Sequence, residues 1–157
     1  LTSVERIQFT NTAYALDIDG NAGIAAKVII ATFGAGSIGT YMSAALSLVD
    51  GGTTLEELCD LVVNEGLIEN QIGTSDIASY VEHVYTNVVG REPSSFESAI
   101  LSGYYDKGTH TKSDLLLLGA NDTQVASQVT TNSVDVIGVP GSADGEMLAI
   151  QYDLGLV

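Results

Sequence analysis

The chain has 157 residues, with 20 Asp and Glu against 5 Lys and Arg, for a formal charge of −15. That length suits one domain or two small ones, and that charge excludes a general nucleic-acid binder and attraction to anionic membranes, both of which need Lys and Arg. A hydrophobic content of 45% is too high for an acidic disordered tail, and no apolar run of about 18 residues or more is present to insert across a bilayer.

Residues 4–19 read as a β-hairpin. Ile7 and Phe9 alternate with polar neighbours, Thr10-Asn11-Thr12 offers a turn, and Tyr14, Leu16 and Ile18 alternate again. After Gly20-Asn21 the period changes. Ala22 to Phe33 is nearly all apolar, and its length and Ala content predict a buried helix ended by Gly34. Ile38, Tyr41, Met42, Ala45 and Val49 keep helical spacing up to Gly51-Gly52. Thr54 and Glu57 form a capping box, in which hydroxyl and carboxylate each satisfy a free amide, ahead of Leu58, Leu61 and Val62.

Ile77, Tyr80, Val81, Val84, Tyr85 and Val88 predict an amphipathic helix closed by Gly90. Ser94 and Glu97 cap the next, through Ile100, Leu101, Tyr104 and Tyr105, with Gly108 as its stop. Thr111 to Leu118 predicts a short helix, and Asn121 a cap for another through Val125 and Val129. Thr130 to Gly145 reads as a Ser/Thr/Gly/Asp-rich loop containing Pro140. Leu148, Ile150, Tyr152 and Leu154 then alternate as a strand, which is expected to pair with the N-terminal hairpin because both would otherwise carry open edges.

The helical part repeats. An offset of 56 superposes Ala22 on Ala78, Val28 on Val84, Gly34 on Gly90, Asp50 on Asp106, Gly52 on Gly108 and Leu61 on Leu117 without a gap. Repeats of this length imply stacked supersecondary units. The expected fold is mainly α: one domain over 1–157, with two related helical-hairpin units (21–73 and 75–129) on one core. A small antiparallel β element from the two ends flanks them, and the tail runs over 130–157.

Chemistry is sparse. Cys59, the single cysteine, sits in an apolar helical context and reads as a core residue. No G-x-S-x-G elbow and no HExxH occurs, and Gly34-Ala35-Gly36 lacks the strand and Lys of a phosphate loop. No nucleophile, base and orienting group can be assembled from spacing, so no enzyme is expected. Asp17, Asp19 and Asn21 place three oxygen donors at alternate positions of one turn, the opening of many calcium loops. Ala22 and Val28 stand where an EF-hand needs Gly and an acid, so the candidate metal site is a different kind of calcium turn, or else a helix cap made by Asp19 or Asn21. Arg91, after Gly90, is expected either to bond free helix carbonyls or to join a buried ion pair. Tyr104 and Tyr105 read as core and rim residues rather than a sugar-stacking platform.

The run Tyr85-Thr86-Asn87-Val88-Val89-Gly90-Arg91-Glu92-Pro93 resembles the Y-x-N-V-L-G-R-x-P signature of the bacterial domain-of-unknown-function 4214 family. Ser113 to Gly119 resembles its second-helix signature, and Glu5 to Phe9 with Ala15 to Gly23 the segment that often precedes its repeats. That family consists of tandem helical repeats in S-layer-like and haemolysin-type secreted proteins. The resemblance implies a secreted or cell-surface bacterial protein, often exported by a type I system, whose uncleaved signal would lie in Leu148 to Val157. The chain starts at Leu1 without a signal peptide and reads as a processed product or an excised piece. The expected function is a non-catalytic structural module of the cell exterior that assembles with copies of itself or with other surface proteins. The alternative is a calcium- or polysaccharide-binding accessory module of a larger secreted protein.

Overall fold

A computed structural model describes residues 6–137 and 146–154. Strands β1 (Arg6–Gln8) and β2 (Thr12–Ala15) form the N-terminal hairpin, closed by the Phe9 N–H donating to the Thr12 carbonyl at 2.8 Å. Residues 4 and 5 of the expected hairpin lie outside the described residues. The strand ends at Ala15, short of Leu16 and Ile18. Ala13 and Ala15 are its buried face, and Tyr14 points outward, where its ring meets Phe9 edge-on at 5.9 Å. The inner face takes the small side chains and the two rings pair outside.

The hairpin continues into a four-stranded antiparallel sheet of order β1-β2-β4-β3. As expected, the C-terminal strand β4 (Glu146–Asp153) pairs with β2: Ala13 stands opposite Tyr152 and Ala15 opposite Ile150, all four buried. Strand β3 (Val134–Ile137) corrects the expected loop over 130–145. Val134, Val136 and Ile137 are β-branched and suit a pleated strand, and Val134 pairs with Ala149. Residues 138–145, with Pro140, and the last three residues of the tail lie outside the described residues.

The helices fall into two sets of four, α1 (Asn21–Phe33), α2 (Ile38–Asp50), α3 (Leu55–Asn64) and α4 (Leu67–Ile72), then α5 (Ile77–Val89), α6 (Ser95–Asp106), α7 (Lys112–Ala120) and α8 (Thr123–Thr131). The bounds of α1 and α5 differ by 56 at both ends, α2 and α6 end 56 apart, as do α3 and α7, and α4 and α8 start 56 apart. The glycines of the repeat do equivalent work: Gly34 and Gly90 both take positive φ (86° and 81°) at the end of the first helix of each unit. Helix α4, held between left-handed Gly66 and Gly73, carries too few residues to show an apolar period. The N-cap of α8 is Asp122, one residue beyond the expected Asn121, with its carboxylate accepting from the Gln124 N–H at 2.8 Å.

Helix α1 is the centre. It is apolar on all sides, as a helix surrounded by partners must be, and it packs against α2, α3, α5, α7 and α8. Equivalent helices meet across the molecule: α1 lies on α5, and α3 on α7. The short helices are exchanged, α4 packing on α5 of the other unit and α8 on α1. Asn87 marks this junction, since its amide donates at 3.1 Å to the carbonyl of Ala31, its own repeat equivalent. A second tie is the Lys112 ammonium, which bonds the Glu69 carboxylate at 2.8 Å and the Ser75 carbonyl at 3.0 Å. The sheet breaks the symmetry. Strand β4 lies on α2, whereas α6, which packs on α5, has no buried residue.

Candidate functional site

The structure gathers two of the three residues of the candidate calcium turn. Asp17 pairs with the Arg6 guanidinium, and its second oxygen accepts from the Ala22 N–H at 3.3 Å, so it stabilises the first turn of α1. Arg6 also bonds Asp50 at 2.9 Å, and the Asn21 amide donates to the same Asp50 oxygen at 2.9 Å. Asp17 and Asp50 thus converge on a cation, and that cation is Arg6, while Asn21 steadies the Asp50 carboxylate from its other side. Asp19 is exposed and stands apart, on the rim of a shallow hollow with Lys27 and Thr130. The residue that caps α1 is Gly20, with no side-chain bond, so neither Asp19 nor Asn21 serves as the expected cap. Among the described residues, no three His, Cys, Asp or Glu side chains gather in a ligating group.

The signature residues of the α5–α6 turn form one lock. Arg91 bonds Glu97 through both terminal nitrogens, at 2.7 and 3.0 Å, and lies 5.3 Å from the centre of the Tyr85 ring. The Tyr85 hydroxyl donates to Glu97, and Glu97 also completes the capping box by accepting from the Ser94 N–H at 2.8 Å. The Arg91 hydrogen bonds, then that of Tyr85, hold the Glu97 carboxyl well below the usual carboxylate range. The same bond from Tyr85 to Glu97 raises the Tyr85 phenol. Arg91 is 56% exposed, so the expected buried pair is a surface pair, and the carbonyl it bonds belongs to Glu92 in the turn rather than to the end of α5. Asn87 plugs the end of α1, and His83 bonds the neighbouring Thr32 carbonyl at 2.8 Å, which requires its Nε2 to carry the proton. Within the motif, Tyr85 and Arg91 lock the α5–α6 turn and Asn87 joins the two units.

Cys59 is buried, and its thiol is pushed up to about 12 by burial and then by Asp60 and Glu56. A thiol so held is no nucleophile.

What the surface offers is apolar. Each unit has a groove walled by its first three helices, closed in the first unit also by Leu67, Asn70 and Gln71 of α4. In the first unit it is a cavity of about 550 Å³, with Val28, Ile29 and Thr32 from α1, Tyr41 and Leu48 from α2, and Leu61 from α3. In the second unit the equivalent space is about 170 Å³, bounded by Val84, Val88, Leu101 and Leu118. It is narrower where α7 comes closest: a Cβ on Gly119 would stand 3.0 Å from Val84. Exposed large apolar side chains collect around these walls: Tyr41, Leu48 and Leu61 on the first, Leu118 on the second, and Phe96, Ile100, Tyr104 and Tyr105 along α6. Tyr104 and Tyr105 are therefore surface residues, neither one in the core, and Tyr104 stacks on His110 at 4.9 Å. Phe9, 61% exposed, stands at the sheet edge against Tyr14, away from the grooves. The groove residues escape a reading for one core face. The missed signal is Ala44 and Leu48, which with Tyr41 and Ala45 of the stripe already read make a second stripe on α2 at helical spacing.

No family model, no curated protein and no solved structure matches the chain.

Proposed function

We propose that the chain is a non-catalytic structural module of the bacterial cell exterior whose task is to associate with copies of itself. The observation that carries this is the placing of its exposed large apolar side chains. Eight of them sit on the groove walls and on α6, and Phe9 stands beside β1, an edge strand of the sheet. Gathered apolar surface marks contact sites, and an edge strand carries free backbone donors and acceptors for pairing. The motif resemblance supplies the habitat. It also supplies the alternative, a calcium- or polysaccharide-binding accessory role, in which calcium would have to displace Arg6 from Asp17 and Asp50.

The test is light scattering after size-exclusion chromatography from low to high protein concentration, at low salt, about 0.15 M salt and millimolar calcium. Concentration-dependent oligomers at moderate salt support the reading. A strict monomer under all conditions removes it. Assembly that requires calcium, and that Asp17→Asn abolishes, would favour the alternative.

A further inference from the structure

We propose that the exposed face of α6 seats in the α1–α3 groove of a second copy, head to tail. The inference rests on the self-association reading and names its contact.

Helix α6 is built as a ligand. It has no buried residue, yet Phe96, Ile100 and Tyr104 stand four apart on one face, with Phe96 74% exposed. At 1.5 Å per residue this ridge is about 12 Å long. Gly103 lies on the same face with open space before it, so a partner backbone can approach closely. Lys107, eleven residues after Phe96 and three full helical turns on, closes the ridge with a positive charge.

The groove of the first unit is built as the receptor. Its lining is mostly apolar, with Thr32, Ser37, Asn70 and Gln71 as the polar exceptions, and Tyr41, Leu48 and Leu61 stand exposed along it. Its surroundings are acidic, for residues 28–90 contain no Lys or Arg. Glu57 on α3 and Glu65 at its C-terminal cap lie one turn to either side of Leu61, where they meet an incoming Lys107 with opposite charge. A ridge of apolar anchors at helical spacing, lying in an apolar groove, is an established mode of recognition. Among the described residues nothing covers the ridge or fills the groove, and a second copy supplies each with a partner. Because ridge and groove are different surfaces, each added molecule leaves one of each free. The contact is heterologous and grows into rings or open chains.

The test uses two variants at exposed positions, Ile100→Glu on the ridge and Leu61→Glu on the groove, each checked for unchanged circular dichroism and melting temperature. Each alone is expected to weaken association about tenfold or more. An equimolar mixture is expected to form a one-to-one dimer and stop there, because one ridge and one groove remain intact. Glu65→Lys mixed with Lys107→Glu should likewise associate better than either alone. If the wild type assembles and both variants assemble equally well, this contact is wrong while self-association stands. If both variants are monomeric and their mixture stays so, the head-to-tail pairing is wrong. A wild type that is monomeric at every salt and concentration removes both readings, and native mass spectrometry of that monomer with an apolar small molecule in the groove would make it a ligand pocket instead.

Discussion

Gly23 shows how much a single residue can carry. A Cβ there would stand 2.0 Å from the Ile18 carbonyl oxygen, where α1 crosses the chain that leads into it. Backbone cannot give way as a flexible side chain can. Gly23→Ala should therefore destabilise the protein by about 3 kcal/mol, at the upper end of the range for overpacking. Gly36→Ala, where nothing lies within 4 Å, is the control and should stay within about 0.5 kcal/mol. Thermal or urea denaturation measures both. In the sequence Gly23 is one small residue in an apolar run, because the atom that forbids a side chain comes from the preceding turn. Asp17 was legible as an important oxygen donor for the same local reason that it was misread. Spacing shows where donors stand in a turn but not that Arg6, eleven residues earlier, comes back to meet them.

At the scale of elements, the starts of α5, α6 and α7 are stabilised by carboxylates that accept hydrogen bonds when ionised. Glu97 is held low by Arg91 and Tyr85, Asp76 by the Ser79 N–H at the start of α5, and Asp114 by the Thr111 N–H at the start of α7. A carboxyl lowered in the folded state contributes stability that is present above its unfolded pKa, about 4, and is lost as pH falls below that value. The melting temperature should hold from pH 7 to about 5 and drop below about 4.5. Glu97→Gln should lower it at pH 7 and make its fall in acid shallower. Arg91→Ala should also lower it, as loss of the bidentate pair requires. Of these, the Ser94–Glu97 capping box was readable, since hydroxyl and carboxylate three residues apart define it, while the Thr111–Asp114 box and the Asp76 cap went unread. The burial of α6 was not readable. Its period shows that one face is apolar, as in α2, but it does not say which partner covers that face. The sheet covers α2, whereas among the described residues only α5 packs on α6 and no residue of α6 is buried.

At the scale of the whole molecule, the two units are joined by helices that meet their own equivalents and by ties such as Lys112 to Glu69. That pair is mostly buried, the side chains being 13% and 20% exposed. Lys112→Met should destabilise by about 2 kcal/mol, less than a fully buried pair would lose, and adding Glu69→Leu should restore part of it, because the first change strands a charge. A double-mutant cycle by chemical denaturation tests this. The repeat was legible because glycine stops and core positions recur at one offset, and those are the positions where backbone and packing leave least choice. Strand β3 was not legible, because four residues among Ser, Thr, Gly and Asp become a strand only when β4 stands beside them. The charge of −15 belongs to this scale too. Copies repel at low ionic strength, so the oligomers expected above should grow with salt until charge is screened over about 10 Å.

The meeting of α1 with α5 and of α3 with α7 has a consequence for how this protein can change. Two such units in separate chains would make a symmetric dimer, in which every substitution occurs twice and must suit both places. Joined in one chain, each substitution occurs once. Asn87 can hold the end of α1 without an asparagine at position 31, and a sheet can shield one second helix while the other keeps its aromatic ridge. A plug and a socket can then diverge on one polypeptide, a division of labour closed to the symmetric pair.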